Sequence, residues 1–564
     1  MPPPKPHVPE LVHRHGKPVE DIYEWDWSWP PGCATLRHVF PPDGYPLDYV
    51  PHAAKLAVEL TRNRARMALE GARDIGPPRI PTSPEDLRTG FYQVIEDLAA
   101  GAPKTRPTTM ADYVRYFALT PQPTLVERQS KDPASADRYF AWQRVAGANP
   151  MSLRRIASLP DDFAVTEAHW QRAVGEGSLA AALATGHAYL VDYTMLHGAP
   201  ATRYLGRQKY VCGARGLFVA LGAELLPVAI QLEPGGGVVT PKDGVTWAMA
   251  RYCLQVADAN VHETMEHIGA THMVMEAVGI AGRRQLGDEH PLRKLLDPHI
   301  AGTFAVNDSA KHFLIAPGGI VDRVFAARID VAVSLVRAAI DRFVLQDCAP
   351  AREIRARGMD GAELAFPYGE DVVEVYGAIE RFVTSYVRIF YLDDAAVVVD
   401  DELRAWVAEV GSPIGGALRG IRPVETVAGL VEWMTNIIHI GSAQHAAVNF
   451  PQFPYFGWGA NVAGACWGPP PALDGSATEA DLASLMPPWD CLTLQADTVY
   501  LLSGIYYRPL GTYAHMGDPR VAPRVVAFRK DLAAVDAAIA ARDAARLLPY
   551  PYLRPSLIPS SINI

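Results

Sequence analysis

Several kinds of site are missing from this sequence. The six cysteines lie far apart and form no CxxC pair, which argues against a disulfide framework and against a thiolate metal site. There is no run rich in lysine and arginine, and the formal net charge is −10, so nucleic acid is not expected as a partner. No uninterrupted apolar run reaches the ~20 residues that a membrane-spanning helix needs.

The start of the chain also lacks a targeting signal. Residues 1–6 are rich in proline and are not followed by the apolar h-region of a signal peptide. The sequence as it stands therefore predicts a cytoplasmic protein. The alternative, a leader removed from this sequence, stays open.

The composition predicts a globular protein with a large core. Of the 564 residues, 49% are hydrophobic and 20% are charged. Residues 1–52 are rich in proline and aromatic residues, and because prolines forbid a regular helix, we predict an extended arm. Residues 53–136 have a helical pattern. No repeat or obvious linker interrupts residues 140–564, which favours one large helical domain.

The predicted fold class is mainly α with a small β-sheet region. Ser83 is predicted as the N-cap, and Pro84 as the first residue, of the second helix. The predicted helices are 53–74, 83–100, 109–119, 135–146, 246–281, 291–296, 307–315, 320–345, 369–391, 400–409, 423–450 and 524–547. The predicted strands are 189–193, 217–221 and 225–232.

Three histidines stand five residues apart in the apolar helix predicted at 246–281: His262, His267 and His272. On a regular α-helix, five residues turn the chain by about 500°, which leaves consecutive histidines about 140° apart. They converge only if the helix widens into a π turn, a distortion that Gly269 would ease. A metal would explain three histidines on a buried helix, but ordinary hydrogen-bonded histidines remain an alternative. The equal spacing cannot select a pair, and it excludes an HExxH zinc protease.

A second candidate site lies near the end of the helix predicted at 423–450. His445 and Asn449 are four residues apart, so their side chains share one helix face. Imidazoles together with oxygen donors suit iron, zinc or manganese.

Four blocks of sequence together resemble the lipoxygenase family. They are the histidine stretch, the segment 284–299, the segment 445–455 and the ending 553–564 with its terminal Ile564. The resemblance runs over roughly 137–564, which it implies is the catalytic domain. It is closest to bacterial members without the N-terminal β-barrel domain, in which added helices such as those of 53–136 can form a lid.

The resemblance implies one non-haem iron per chain, with manganese less expected. The implied ligands are His267, His272, His445 and the carboxylate of Ile564, with Asn449 as a weak or distant ligand through its amide oxygen. His262 is then a neighbour of the metal site and not a ligand.

The implied activity is dioxygenation of a polyunsaturated fatty acid. Hydrogen is removed from the carbon between two cis double bonds, and O2 adds to the resulting pentadienyl radical to give a hydroperoxide. The resemblance implies no catalytic side chain beyond the hydroxide on the metal, and a supply of fatty acid through transient contact with membranes or micelles. Two alternatives are kept: a catalytically silent fatty-acid-binding relative and a zinc hydrolase.

The resemblance also assigns residues around the metal. Ala310 matches a stereocontrol position, where alanine suggests an S product, and Leu314 matches a leucine that clamps the substrate. The position that matches a bulky pocket-floor residue of the family is Ala259, with Val324 and Phe325 nearby, so chain depth and regiospecificity stay open. Glu263 and Gln452 match a polar pair that links the metal helices to the pocket. Glu276, four residues after His272, is expected by its spacing either beside that ligand or in a salt bridge, and both readings stay open. Neither of the positions that carry a carboxylate-binding arginine in some members is basic here, so the orientation of the substrate stays open.

Overall fold

The structure is a computed structural model that describes residues 13–14, 17–69, 84–108, 110–117, 120–131, 135–200, 202–506, 508–513, 516 and 518–564. The predicted N-cap Ser83 and the predicted helical residues 70–74 lie outside these ranges.

One long helix, residues 245–285, runs through the centre of the core and is called here the histidine helix. It is α-helical over Val245–Val261, π-helical over His262–Met273 and α-helical again over Val274–Gln285. Its residues are apolar on most sides and almost all are buried, as expected for a helix enclosed by others. The predicted helix at 246–281 and its π distortion are both found.

Two further helices pack against the π-helical part. The second metal helix, residues 427–449, is α-helical over Val427–His439, π-helical over Ile440–Gln444 and α-helical over His445–Asn449. The support helix, Ile329–Arg342, crosses the histidine helix at Gly269. A Cβ on Gly269 would lie 2.7 Å from Ala339 Cβ and 3.1 Å from the Val336 carbonyl oxygen, so only glycine permits this close approach.

The remaining α-helices surround this centre and confirm a mainly helical fold. In the N-terminal half they are Val19–Ile22, Val50–Leu69, Pro84–Gly101, Met110–Val114, Thr124–Lys131, Ala136–Ala146, Glu167–Ala173 and Leu179–Thr185. In the C-terminal half they are Pro291–Ile300, Thr303–Ser309, Ile320–Val324, Pro350–Ala356, Pro367–Phe390, Asp394–Val398, Asp401–Gly411, Gln452–Phe456, Glu479–Leu485, Trp489–Leu502 and Ala522–Asp543.

A five-stranded antiparallel sheet forms the predicted β region. Its strands, in spatial order, are Val238–Val239, Glu224–Gln231, Arg215–Leu221, Ala188–Asp192 and Arg154–Arg155. The three predicted strands are its three central ones, since each consists mainly of buried apolar residues. Three two-stranded pairs lie elsewhere: His13–Arg14 with Lys17–Pro18, Trp25–Asp26 with Thr35–Leu36, and Arg203–Tyr204 with Arg207–Gln208.

The prediction of one helix at 320–345 is wrong. A short floor helix, Ile320–Val324, ends at Phe325, which has an extended ψ of 153°, and the support helix begins only at Ile329. The backbone groups of the break pair with other parts of the chain: Ala326 N–H donates to the Gly464 carbonyl at 3.0 Å and Arg328 N–H to the Pro200 carbonyl at 3.1 Å. Such long-range partners are not visible in a local pattern.

The helix predicted at 307–315 also differs from the structure. It begins earlier, as Thr303–Ser309, and closes with a π turn over Ala310–Leu314. The helix predicted at 109–119 is α-helical over Met110–Val114 and then narrows to a 3-10 turn, Arg115–Phe117.

Segments near both ends of the chain are fastened to the helical body. In the arm, Trp25 is 5% exposed and its indole N–H donates to Glu409 Oε1 at 2.9 Å. In the tail, residues 549–564, the backbone is held at two carbonyls: His299 Nδ1 donates to Ser560 O at 2.6 Å, and Thr303 Oγ1 donates to Ile562 O at 3.0 Å. Ile564 is 5% exposed. Among the described residues, no helix combines the length and the apolar character needed to cross a membrane.

Candidate metal centre

Three of the predicted ligands come together in the core. His267, His272 and His445 are all buried, and each offers a ring nitrogen within 4.8 Å of the other two. The Nε2 atoms of His267 and His272 are 3.1 Å apart, although five residues separate them, because the π-helical segment brings i and i+5 onto one face. The ring of His445 lies 5.6 Å from that of His267 and 5.1 Å from that of His272, measured between centroids.

The outer nitrogen of His267 is held by a carboxylate. His267 Nδ1 lies 3.0 Å from Glu263 Oε2, and Gln452 Nε2 is 3.2 Å away on the other side. A carboxylate only accepts, so Nδ1 carries the proton and donates it to Glu263. Burial raises the pKa of Glu263, but His267 and His262 outweigh it and hold this pKa below its usual value, so the acceptor stays ionised. The Nε2 lone pair of His267 therefore faces inward.

The outer nitrogen of His272 is held by an amide that the sequence did not single out. His272 Nδ1 donates to Asn307 Oδ1 at 2.8 Å, and Asn307 Nδ2 donates to Glu276 Oε2, also at 2.8 Å. The second oxygen of Glu276 accepts the backbone N–H of Leu36 at 2.8 Å. Glu276 therefore acts on His272 through Asn307 and ties the metal centre to the arm. Asn307 stands three residues before Ala310, but nothing in the sequence marked it as a partner of His272.

His445 is the third histidine of the cluster, and its ring is held differently from the other two. Among the described residues, neither ring nitrogen has a hydrogen-bond partner of good geometry. Burial, with His272 and His267 nearby, lowers the pKa of His445 well below its usual value. The backbone oxygen of Ile564 opposes this shift. The C-terminal residue Ile564 therefore lies beside the ring of His445.

The donor set fits a metal ion. Burial also lowers the pKa of His272 to about 3, so this ring is neutral at physiological pH and keeps a lone pair for coordination. Two inward lone pairs 3.1 Å apart repel each other, and a buried imidazole without any partner is costly, unless a cation lies among them. Three neutral imidazoles with outer hydrogen bonds to a carboxylate and an amide are the usual surroundings of a bound transition metal.

Two further residues of the predicted site lie beside this cluster. His262 Nε2 donates to the Val448 carbonyl at 2.8 Å, so its ring is engaged elsewhere. Asn449 Nδ2 donates to the Leu502 carbonyl at 2.7 Å, while Asn449 Oδ1 accepts from Gln452 Nε2 at 3.2 Å. Gln452 Nε2 donates to Asn449 Oδ1 and is close to His267 Nδ1, but it makes no hydrogen bond to that nitrogen, because Nδ1 is itself the donor to Glu263.

A mostly apolar cavity lies next to the metal centre. Glu263 and Gln452, which lie beside His267 Nδ1, are among its lining residues. Four of the five predicted pocket residues line it as well: Ala259, Leu314, Val324 and Phe325. Ala310 is half-buried at the first position of the π turn that ends at Leu314, and lies outside the lining set. The lining that the sequence missed consists of Ile320, Val321, Phe456, Gly464, Gln495, Thr498, Val499 and Leu502.

The comparisons with known proteins decide the family. A family model described as "Lipoxygenase" matches residues 102–479, which is more than half of the chain. This chain belongs to the lipoxygenase family. The resemblance drawn from the histidine, 284–299, 445–455 and terminal blocks is thereby confirmed.

Individual relatives agree with this assignment. The lipoxygenase is 36% identical over 460 residues to the "Linoleate 9/13-lipoxygenase" of Pseudomonas aeruginosa, covering 76% of this chain and 66% of the relative. It is 35% identical over 445 residues to the "Hydroperoxide isomerase ALOXE3" of Rattus norvegicus, covering 76% and 62%. The matched part spans less than two thirds of the length of either relative. The crystal structure of a coral 8R-lipoxygenase superposes with a TM-score of 0.83 at 26% identity, covering 97% of this chain and 80% of that one.

Proposed function

We propose that this lipoxygenase is a non-haem iron dioxygenase that inserts O2 into polyunsaturated fatty acids with a 1,4-pentadiene. The observation that carries the proposal is the contact between the cavity and the metal centre. Glu263 and Gln452 line an apolar cavity and, at the same time, lie 3.0 and 3.2 Å from Nδ1 of the proposed ligand His267. A chain lying in the cavity would therefore end next to the metal.

The metal in this proposal is iron, with manganese less expected. The proposed ligands are His267, His272, His445 and the carboxylate of Ile564, with the Asn449 amide oxygen as a distant fifth. When bound, iron supplies the one-electron oxidation that lets hydrogen leave the carbon between the two cis double bonds. Glu263 and Asn307 hold the outer nitrogens of two ligands, which keeps their Nε2 lone pairs aimed at the metal.

The cavity fits a fatty acyl chain better than a polar substrate. Apolar residues such as Leu314, Val324 and Val499 form most of its walls. These walls exclude water from the radical intermediate and leave O2 as its partner. The name of the Pseudomonas relative supports linoleate as a first substrate to test. Delivery by transient contact with micelles or membranes is part of the proposal.

The decisive experiment combines metal analysis with product identification. We expect about one iron per chain and, with linoleate and O2, a product with conjugated-diene ultraviolet absorbance. An anaerobic reaction serves as the control and should give no diene. A protein with neither iron nor diene formation would refute the proposal, whereas zinc content and a reaction that ignores O2 would favour a hydrolase. A protein that converts added fatty-acid hydroperoxide but makes no diene would instead be a hydroperoxide isomerase, which is the activity in the name of the rat relative.

Deletion of Ile564 distinguishes an active dioxygenase from a catalytically silent fatty-acid-binding relative. Loss of the terminal carboxylate should reduce iron content and oxygenation together if Ile564 is a ligand. Ile564→Val, which keeps a terminal carboxylate and most of the side chain, is the matched control. Fatty-acid binding without catalysis in the unmodified protein, unchanged by the deletion, would support the binding alternative.

The S configuration of the product is proposed from Ala310. Chiral chromatography of the product tests it, with Ala310→Gly as the comparison variant. An R hydroperoxide from the unmodified protein would contradict the assignment. A shift toward R in Ala310→Gly would support it.

A further inference from the structure

The floor helix shapes the cavity but cannot be stable alone. It has five residues, Ile320–Val324, and isolated helices of this length do not persist in water. Yet Ile320, Val321, Val324 and the following Phe325 all line the cavity. Something outside the helix must therefore hold these side chains in place.

A buried lysine lies at the end of the floor helix where carbonyl groups lack helical partners. Lys209 is 0% exposed, and its Nζ donates to the carbonyl oxygens of Asp322 at 2.7 Å, Arg323 at 3.3 Å and Phe325 at 2.5 Å. A cation at the carboxyl end of a helix is also favoured by the helix dipole. Lys209 therefore caps the floor helix and the first residue of the break.

The three acceptors match the charged form of the lysine. An ammonium group has three N–H donors and no acceptor, whereas a neutral amine has only two donors. Hydrogen bonds from a charged donor are also the stronger kind. Burial lowers the pKa of Lys209 to about 8, which still leaves the charged form dominant at neutral pH.

Lys209 itself is fixed by a hairpin and by its neighbours. The strands Arg203–Tyr204 and Arg207–Gln208 are joined by Leu205 and Gly206, both with positive φ, as a two-residue type I′ turn requires. After the hairpin, Lys209 N–H donates to the Thr202 carbonyl at 3.0 Å.

The same hairpin region contacts the break directly. Thr202 N–H donates to the Ala326 carbonyl at 3.2 Å. Tyr210 exchanges backbone hydrogen bonds of 2.8 and 3.0 Å with Cys466, which joins the segment to the core. Backbone hydrogen bonds of Lys209 and its neighbours therefore fix the position from which the side chain contacts the floor helix.

A glycine, Gly464, also contacts the end of the floor helix. Ala326 N–H donates to the Gly464 carbonyl at 3.0 Å, and a Cβ on Gly464 would lie 2.9 Å from Val324 O and 3.2 Å from Phe325 Cα. Val324 and Phe325 are thus held between the ammonium of Lys209 and the backbone of Gly464. Movement of this segment would change the depth of the cavity.

We propose that Lys209 is a positioning residue that sets the depth of the cavity and, through it, which carbon of the fatty acyl chain is oxygenated. The inference rests on the proposed function, because it takes the cavity as the acyl site. Lys209 touches neither substrate nor metal and acts only through the backbone of the floor helix and of Phe325.

Lys209→Met tests the proposal, because methionine has a similar length but no N–H donor. We expect the ratio of positional isomers to change by about tenfold, since displacement by one methylene in an apolar pocket alters discrimination by roughly 10- to 200-fold. Iron content should not change, as Lys209 is distant from the ligands in the hydrogen-bond network. Lys530→Met, the same substitution on an exposed helix position, is the matched control and should leave the ratio unchanged.

A conservative variant and a change on the opposite side complete the test. Lys209→Arg keeps N–H donors and should hold the ratio closer to that of the unmodified protein than Lys209→Met does. In Gly464→Ala, the added methyl group presses on the backbone of Val324 and Phe325 and should shift the ratio of positional isomers as well. This variant also tests the role of the floor if Lys209→Met does not fold. An unchanged ratio in folded, iron-containing Lys209→Met overturns the proposal. If that variant does not fold, an unchanged ratio in folded, iron-containing Gly464→Ala overturns it instead.

A binding series keeps this test independent of catalysis. Displacement of a fluorescent fatty acid by fatty acids of graded chain length reports cavity depth without turnover. If the unmodified protein makes no diene, the proposed function fails, yet Lys209→Met should still change the preferred chain length. The same preference in both proteins would overturn the role of Lys209 alone.

Discussion

The three histidines of the metal centre stand on two long helices, whereas part of the cavity wall is a five-residue helix held by contacts from elsewhere. The ligands gain their positions from continuous helices with π turns and from hydrogen bonds to Glu263 and Asn307. The floor gains its position from Lys209 and Gly464.

The two constructions fit different tasks. A metal site needs ligand atoms fixed within fractions of an ångström, and long buried helices provide this. A floor built from a short helix depends on a few distant contacts, such as that of Lys209. We therefore expect variants of the floor and variants of the metal centre to have separate effects, and the following variants test that separation.

The largest effect is expected from His445→Ala. The variant should lose its metal and more than about 100-fold of its activity, because removal of an outer partner alone typically costs roughly 10- to 100-fold. His262→Ala is the control: it should retain the metal and lose only about 1–3 kcal/mol of unfolding free energy, from the unpaired Val448 carbonyl. Metal analysis and thermal unfolding measure both. Metal loss in His262→Ala instead would reverse the assignment of ligands.

Asn307→Ala should have the next largest effect. Without its amide, His272 loses the acceptor at Nδ1, and we expect metal affinity to fall by about 10- to 100-fold. Competition with a chelator measures the affinity. Asn436→Ala removes another buried amide, bonded to Tyr376 and the Leu345 carbonyl, and should reduce stability while leaving metal affinity unchanged. Equal affinity in both variants would show that Asn307 does not position His272.

Phe325→Ala should change the product and spare the metal. Removing the ring deepens the cavity, and the ratio of positional isomers should shift by about tenfold at unchanged iron content. Phe313→Ala truncates a ring that stacks on Tyr92 outside the lining set, and chromatography should show an unchanged ratio. A loss of iron in Phe325→Ala would mean that floor and metal centre are coupled.

The smallest effect concerns the contact between the histidine helix and the support helix. Gly269→Ala should lower the unfolding free energy by about 1–3 kcal/mol through overpacking against Ala339. Gly377 lies in the helix Pro367–Phe390, where a new Cβ would meet only the flexible end of Arg381, with Nη1 at 3.4 Å. Gly377→Ala should therefore raise the unfolding free energy by about 0.5–1 kcal/mol. Denaturant unfolding compares the two. An increase in the unfolding free energy of Gly269→Ala would show that close packing against the support helix does not require this glycine.

The same contrast explains what could be predicted from the sequence. The histidine helix, its π distortion and the three central strands followed from local periodicity, spacing and the absence of proline. The selection of His267 and His272 over His262 did not follow from spacing, and required the family resemblance. Asn307 could not be found, because its partner is 35 residues away and an asparagine in a helix has many uses.

The break after Phe325 was missed for a related reason. Residues 320–345 are compatible with a continuous helix, and the groups that interrupt it, Lys209 and Gly464, come from distant parts of the chain. Local propensity is a weak guide wherever such contacts compete with it.

The hydrogen bond from Leu36 N–H to Glu276 has a consequence for how the protein can be shortened. Through Glu276 and Asn307, the arm is three hydrogen bonds away from the ring of His272. A truncation boundary placed after residue 36 would leave a buried carboxylate oxygen without its donor in the middle of the protein. For anyone engineering a minimal enzyme, the hairpin of Trp25–Asp26 and Thr35–Leu36 belongs to the active core, and trimming should stop before it.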